Sequence, residues 1–227
     1  ELSVESLPLF ISSIPDLKSL LKKPVSIFYN VISQADRRLS EIRDKKPEKR
    51  KIFIVCGPRG KGKTSFVRKV IELLRGQNLQ VSGIIAEALT DGPESGGYDI
   101  VNLETGERMA FMRKEDKYGN DRIGRFYICP EGLEGGKALF AGLVSAKTDI
   151  VVIDEAGRLE LRGGGWCDSI TDLLGKSEHN ILMTVRREFV ERIRNKWNLE
   201  NVIVFDIAKT DPGKAVSVII KNIRPDK

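Results

Sequence analysis

KIFIVCGPRGKGKTSFVRKVIELL, residues 51–74, is the stretch from which the fold of this chain can be predicted. It opens with the apolar run Ile52–Cys56, which has the length and composition of a buried strand. The eight residues Gly57–Thr64 fit the pattern G-x-x-x-x-G-K-[ST], and the amphipathic segment after them predicts a helix. A strand before the motif and a helix after it form the context that a phosphate-binding loop requires. We therefore expect such a loop here.

Each residue type in the motif has a chemical task in binding a nucleoside triphosphate. Glycines let consecutive backbone N–H groups turn toward a phosphate, and the N-terminus of the following helix adds partial positive charge. Lys63 is expected to contact the β- and γ-phosphates, and the Thr64 hydroxyl to hold Mg²⁺. The predicted nucleotide-binding residues of this stretch are Gly57, Pro58, Arg59, Gly60, Lys61, Gly62, Lys63, Thr64 and Ser65.

A second apolar run, DIVVIDE at residues 149–155, ends in two carboxylates. In a P-loop fold, an acid at the end of a strand beside the first one completes the Mg²⁺ shell through water. A further acid next to it can orient and polarise the attacking water. We assign Asp154 to the metal, together with Thr64, and Glu155 to the general base. Both acids join the nucleotide-binding set, and Lys63 and Glu155 are the predicted catalytic residues.

Strands and helices alternate along most of the chain, which predicts an α/β fold with a mostly parallel, doubly wound sheet. Tyr98–Leu103 and Glu107–Arg113 flank a Glu-Thr-Gly turn and predict an antiparallel hairpin added to that sheet. The polar stretch Lys114–Arg125 is expected to be mobile. The other predicted strands are Gln80–Ala88, Phe126–Cys129, Asp149–Asp154, Asn180–Val185 and Val202–Asp206, and the other helices are Glu131–Ala146, Cys167–Gly175, Arg187–Trp197 and Pro212–Ile223.

Residues 1–50 predict a helical extension that precedes a nucleotide-binding domain at residues 51–227. Apolar residues recur at helical spacing between Pro24 and about Asp44, and the charged segment Asp44–Lys51 reads as a linker. The apolar stripe needs cover, which the domain, a protein partner or an upstream segment could provide. Because the chain starts at Glu1 without a methionine, we expect it to be the remainder of a longer polypeptide.

The composition argues against a membrane-spanning, a disulfide-linked and a nucleic-acid-binding protein. No apolar run approaches the roughly 18 residues of a membrane span, and three cysteines without C-x-x-C spacing are typical of a reducing cytoplasm. The net charge is +6, of which residues 1–51 carry +4 and the rest +2. A nucleic-acid surface is usually more strongly and locally basic, so a nucleic-acid partner is not expected.

Phosphoryl transfer is accelerated about 10³–10⁵-fold by an arginine placed on the charge of the γ-phosphate. Four arginines are candidates for this task, and the sequence does not rank them: Arg59, Arg125, Arg186 and Arg187.

The sequence also leads to expectations for several other residues. Glu160 is either a further active-site acid or the structural ion-pair partner of an arginine. The run Gly163–Gly165 is either a hinge, which we favour, or a close approach of backbone to nucleotide. His179 is expected at the surface, and Trp166 and Trp197 in the core rather than stacked on a base.

The order GPRGKGKT, IIAEA, GYDIVNLETGER, IGRFYI and VVIDEAGRLELRGGGW resembles the THEP-type nucleoside-triphosphatases over about residues 51–207. The resemblance implies a P-loop NTPase fold and Mg²⁺-dependent hydrolysis of nucleoside triphosphates to diphosphates with loose base selectivity. It also implies binding through Gly57–Thr64 and the segment around Val152–Arg158. The first 50 residues have no counterpart in that family.

Two other functions remain open on the sequence alone. A nucleoside or nucleotide kinase is one, because the stretch 108–125 could act as a basic lid, with Arg108, Arg113, Lys114, Lys117, Arg122 and Arg125. The other is a nucleotide-dependent regulatory module that docks through the N-terminal helix.

Overall fold

The first strand is an interior strand of the sheet, next to an edge strand, and all six of its residues are buried because they are apolar or glycine. The computed structural model describes residues 50–89, 96–115 and 121–224. The predicted N-terminal helix, the linker to residue 49 and most of the loop at 89–97 lie outside them. The strands are β1 Ile52–Gly57, β2 Val81–Ala88, β3 Gly97–Asn102, β4 Arg108–Arg113, β5 Arg122–Ile123, β6 Phe126–Ile128, β7 Ile150–Ile153, β8 Asn180–Arg186 and β9 Val202–Asp206.

Helices connect the parallel strands and cover both faces of the sheet. They are α1 Lys63–Gly76, α2 Pro130–Leu143, α3 Arg158–Leu161, α4 Cys167–Lys176, α5 Val190–Lys196 and α6 Pro212–Ile223, with a 3₁₀ turn at Arg187–Phe189 before α5. None of the helices in the described ranges has the length and apolar character needed to cross a membrane.

The nine described strands form one sheet in the order β5-β6-β4-β3-β2-β7-β8-β1-β9. The strands from β2 to β9 in this order pair in parallel, whereas β3, β4, β6 and β5 extend the sheet through antiparallel pairs. The predicted α/β class and the antiparallel β3–β4 hairpin are therefore confirmed, and the sheet is mixed, with four parallel and four antiparallel strand pairs among the described residues.

Alternating side chains of the strands build two cores. Phe53 and Val55 of β1 pack with α1 and α6 on one face, and Ile52, Ile54 and Cys56 contribute to the core under α2, α4 and α5 on the other. Strands buried on both faces read as continuous apolar runs, which explains why β1, β7 and β8 can be recognised in the sequence.

Two short elements depart from the sequence predictions. Of the polar stretch 114–125, residues 116–120 lie outside the described part, but Arg122–Ile123 pairs with β6. This end therefore contains a strand that the sequence did not predict. The second is the one-turn helix Arg158–Leu161, which follows the two acids of the DIVVIDE run and shapes the loop behind them.

Candidate active site

The carboxyl ends of β1, β8 and β7 lie side by side at one edge of the sheet. We expected the strand of Asp154 to lie beside β1, and this is wrong, because β8 lies between β7 and β1. Thr184 of β8 pairs in register with Val55, and Arg186 pairs with Gly57, the first residue of the loop motif. Strand β8 therefore supplies two side chains between the phosphate-binding loop and the acids.

The loop Gly57–Thr64 has the backbone that its glycines allow. Gly62 has φ 87°, a left-handed conformation that a residue with a Cβ adopts only with strain. Lys63 follows as the first residue of α1 and is buried. Its Nζ donates a hydrogen bond to the Pro58 carbonyl at 3.3 Å, so the ammonium group is folded back into the concave side of the loop.

Asp154 is the most completely satisfied acid of the site. Its Oδ2 accepts hydrogen bonds from the Thr64 hydroxyl at 2.8 Å and from the Ala86 backbone N–H at 3.2 Å, and its Oδ1 accepts one from the Thr184 hydroxyl. Burial raises the pKa of Asp154, and these hydrogen bonds act in the opposite direction by stabilising the carboxylate. The carboxylate is thereby fixed in orientation.

Glu155 lies between two cations. Its Oε1 accepts a hydrogen bond from Arg186 Nε at 2.9 Å, and its Oε2 is 3.6 Å from Lys63 Nζ. The side chain is 30% exposed, in contrast to buried Asp154, so one acid faces the interior and its neighbour faces the loop. The structure thus brings the four predicted chemical residues, Lys63, Thr64, Asp154 and Glu155, together.

The donor set at Thr64 and Asp154 fits Mg²⁺. Both groups offer hard oxygen atoms, and the 2.8 Å between them places the two oxygens side by side. Mg²⁺ retains several waters and uses few protein ligands when substrate phosphates supply the others. Within the described ranges no group of three or more His, Cys, Asp or Glu residues converges as a metal site.

The four candidate arginines differ in their surroundings. Arg187 binds both carboxylate oxygens of Asp206 at 2.7 Å, and the guanidinium group of Arg125 lies 5.0 Å from the centre of the Phe126 ring, on the antiparallel side of the sheet. Arg59 is an exposed residue of the loop. Arg186 contacts an acid of the site directly.

Glu160 does not form, with any arginine that the structure describes, the ion pair that the sequence suggested as one of its two roles, and its carboxylate binds backbone N–H groups instead. It is 3% exposed, and its carboxylate accepts hydrogen bonds from the backbone N–H groups of Gly157 at 2.7 Å and Trp166 at 3.1 Å. Burial raises the pKa of Glu160, against the effect of these N–H donors. Among the described residues no arginine forms an ion pair with it. Its carboxylate joins the two ends of the loop 157–166.

One glycine of the run allows a close contact within this loop. Gly165 has φ 57°, and a Cβ there would overlap the carboxylate of Glu160. The close approach that Gly165 permits is therefore to Glu160, and the hinge stays a prediction.

Both tryptophans pack as predicted. Trp166 is 1% exposed, and its ring centre lies 4.9 Å from that of Phe111 and 5.6 Å from that of Phe140. Trp197 is half-buried against the same core and donates to the Thr171 hydroxyl at 2.9 Å. His179 is half-buried and its Nε2 donates to the Leu143 carbonyl at 2.8 Å, a structural position outside the site.

Sequence reasoning missed Thr184 and the Ala86 N–H. A weak signal exists for Thr184, because it is the one hydroxyl residue in the otherwise apolar run ILMTV of β8. The Ala86 contact has no side-chain signal, since it depends on the position of β2 beside β7.

A family model described as NTPase matches residues 51–219, about three quarters of the chain. The nucleoside-triphosphatase THEP1 of Pyrococcus abyssi is 31% identical over 144 residues, which are 63% of this chain and 78% of the relative. This chain belongs to the THEP-type NTPase family. A second member, the nucleoside-triphosphatase THEP1 of Methanocaldococcus jannaschii, is 29% identical over 68% of this chain and 88% of that relative.

Two solved structures share the fold of this NTPase-family chain. The solution structure of a human cancer-related nucleoside triphosphatase superposes with a TM-score of 0.58 at 24% identity and covers 78% of this chain and 99% of that one. The crystal structure of THEP1 from Aquifex aeolicus superposes with a TM-score of 0.59 at 16% identity. It covers 76% of this chain and 99% of that one. At these identities the likeness concerns the fold.

Proposed function

We propose that this protein hydrolyses nucleoside triphosphates to diphosphates and phosphate in a Mg²⁺-dependent reaction with loose base selectivity. The observation that carries the proposal is the meeting of Lys63, Thr64, Asp154 and Glu155 at one edge of the sheet, beside the phosphate-binding loop. The family to which the chain belongs supports the reaction class.

In this proposal the loop residues bind the phosphates. The N–H groups of Gly57–Thr64 and the N-terminus of α1 bind the β- and γ-phosphates, and the Lys63 ammonium group neutralises their charge. Lys63 can do so without leaving the site, because its Nζ already lies on the concave side of the loop.

Mg²⁺ would be held by the Thr64 hydroxyl and, through water, by Asp154, and when bound it neutralises charge on the β- and γ-phosphates. Asp154 is suited to this position because Thr184 and the Ala86 N–H fix its carboxylate while it is buried. A buried carboxylate of fixed orientation requires no reorganisation when it meets a cation.

Glu155 is the proposed general base. It lies next to Asp154 and is 30% exposed, so a water molecule can reach it, and its Oε2 is 3.6 Å from the ammonium group of Lys63. In this role Glu155 accepts a proton from the water as its oxygen attacks the γ-phosphorus.

Replacing Glu155 by Gln tests the role of the base. We expect the rate of phosphate release to fall at least a hundredfold for each of the common triphosphates, the order expected for losing a general base. Binding of Mg-nucleotide should be retained, whereas the control Lys63→Ala should lose it. Turnover in Glu155→Gln equal to that of the parent protein would remove Glu155 from this role.

The structure weakens the observation on which the kinase alternative rested, at two of the six basic residues of the supposed lid. Arg108 forms ion pairs with Glu87 and Asp99, and Arg113 also binds Asp99, so two arginines of the supposed lid are held in the sheet. An assay with nucleosides and nucleoside monophosphates as acceptors separates the two reactions. A phosphorylated acceptor with little free phosphate would favour the kinase.

We further propose a reducing cytoplasmic location and a docking role for residues 1–50. Cys56, Cys129 and Cys167 are all buried free thiols, which supports a compartment without disulfides.

The N-terminal segment lies outside the described residues, and its proposed role rests on the apolar stripe in its sequence. Deleting residues 1–46 tests it: hydrolysis should persist while a co-purifying partner is lost.

A further inference from the structure

Arg186 is placed by the strand order rather than by any sequence motif. It ends β8, which lies between β1 and β7, and it pairs in register with Gly57 at the start of the phosphate-binding loop. Its backbone therefore lies between the strand that leads into the loop and the strand that leads into the acids Asp154 and Glu155. Its guanidinium group contacts the proposed base, and Gly57, where the proposed phosphate site begins, is its neighbour in the sheet.

The contact of Arg186 with Glu155 uses one of its donors. Nε donates to Glu155 Oε1 at 2.9 Å, and the side chain is 25% exposed. In the described part of the chain its two terminal nitrogens make no hydrogen bond or ion pair with protein groups. Neither nitrogen is among the buried atoms that lack a hydrogen-bond partner. They are therefore accessible from solvent, with four N–H donors available.

Glu155 links Arg186 to Lys63. The two oxygens of this carboxylate contact Arg186 Nε and Lys63 Nζ, at 2.9 and 3.6 Å. Lys63 is the residue that the loop directs at the β- and γ-phosphates. The two cations therefore contact the two oxygens of one carboxylate, which places Arg186 beside the residue that is expected to bind the phosphates.

We propose that Arg186 is the catalytic arginine of the reaction and acts on two partners at once. Its terminal nitrogens bind oxygens of the γ-phosphate, for which a planar guanidinium group is well suited. Its Nε holds Glu155 in the orientation from which the carboxylate accepts the proton of the attacking water. The inference rests on the proposed function, since it needs Glu155 as the base and the loop as the phosphate site.

A structural ion pair is the competing explanation, and nucleotide binding distinguishes the two. In the Glu155→Gln background hydrolysis is slow, so the affinities for Mg-triphosphate and Mg-diphosphate can both be measured by isothermal titration. Adding Arg186→Gln should weaken binding of the triphosphate about tenfold or more, because a charge-assisted contact to the γ-phosphate is lost. Diphosphate affinity should change less than twofold. Equal losses for both nucleotides, or none, would overturn the phosphate contact.

The matched control is Arg192→Gln in the same background. Arg192 is an exposed arginine of α5 whose guanidinium group lies 5.7 Å from the centre of the Phe189 ring, and it contacts no residue of the site. Its replacement removes the same charge and should leave both affinities unchanged. A triphosphate-selective loss in this control as well would assign the effect to net charge and overturn the assignment to Arg186.

The two-partner role is tested by Arg186→Lys in the otherwise unaltered protein. A lysine keeps the charge near the phosphate but cannot contact two partners through separate arms, so KM should stay within a few-fold while kcat falls at least tenfold. A kcat equal to that of the parent protein would overturn the proposed role of the contact between Arg186 and Glu155. The titrations of nucleotide affinity do not require Glu155 to be the general base. A wrong assignment of the base and a missing contact between Arg186 and the γ-phosphate therefore give different results.

Discussion

At the scale of single residues, the two adjacent carboxylates of the site have different surroundings. Asp154 is enclosed and receives three hydrogen bonds, whereas Glu155 is partly exposed and faces two cations. A fixed, buried carboxylate suits a metal shell, and a partly exposed one suits proton transfer. The division of roles that we propose for the two neighbouring acids therefore rests on their different surroundings.

Thr184 provides the sharpest test of this difference. Thr184→Val keeps the shape of the side chain but removes the hydroxyl that donates to Asp154 Oδ1. We expect the Mg²⁺ concentration that gives half-maximal hydrolysis to rise about tenfold, as for other residues that orient a metal ligand. Stability should fall by about 1–3 kcal/mol, because the buried carboxylate loses one partner.

Thr184→Ser is the matched control, since it retains the hydroxyl while losing the methyl group. Its Mg²⁺ dependence, measured by phosphate release across a Mg²⁺ titration, should remain close to that of the parent protein. If the Val and Ser variants share one Mg²⁺ dependence, Thr184 does not position Asp154.

At the scale of elements, the loop 157–166 behind the acids is held together by one buried carboxylate. Glu160 accepts from the N–H groups of Gly157 and Trp166, which lie at its two ends. Gly157 is two residues from Glu155, so this closure also fixes the backbone that carries the proposed base. Gly165 brings the backbone of the loop close to that carboxylate, where a Cβ would overlap it.

Glu160 should also give the stability of the fold a pH dependence. Burial raises its pKa in the folded protein above its ordinary value, so the folded state binds this proton more tightly than the unfolded state. Its contribution to the free energy of unfolding is then fully present below the ordinary pKa and declines as the pH rises through the raised one. The parent protein should therefore lose stability relative to Glu160→Gln as the pH rises from about 4 toward neutrality.

Urea unfolding of both proteins across this pH range measures the effect. The glutamine variant should in addition be less stable throughout by about 1–3 kcal/mol, because its amide oxygen can satisfy only one of the two N–H groups well. A stability difference that does not vary with pH would contradict the raised pKa of Glu160.

At the scale of the whole molecule, an aromatic cluster packs across the junction at which β2 and β3 join the parallel and antiparallel parts of the sheet. Trp166 packs against Phe111 of the antiparallel strand β4 and against Phe140 of α2. Trp166 itself directly precedes α4, which covers the parallel strands. The cluster thus links the hairpin extension to the part of the fold that carries the site.

Trp166→Ala should destabilise the whole fold by about 3–5 kcal/mol, because it removes a large, fully buried side chain from this junction. Trp166→Phe, which keeps a ring, should cost clearly less. Guanidinium denaturation followed by circular dichroism measures both. A loss below about 1 kcal/mol for the alanine variant would show that the two halves do not depend on this contact.

The sequence by itself determined the α/β class, nearly all of the elements and the identity of the loop and acid residues. It could do so because strands buried on both faces read as apolar runs, and because a phosphate-binding loop needs glycines, a lysine and a hydroxyl at fixed spacing. These signals are local, so they do not depend on the rest of the fold.

Only the tertiary structure decided the order of the strands, and with it the partners of the acids. The insertion of β8 between β1 and β7 brings Thr184 to Asp154 and Arg186 to Glu155, residues that are 30 and 31 positions apart in the chain. The roles of Glu160 and Gly165 likewise depend on how their loop closes. Contacts of this kind join residues distant in sequence or carried by backbone atoms, and neither composition nor spacing records them.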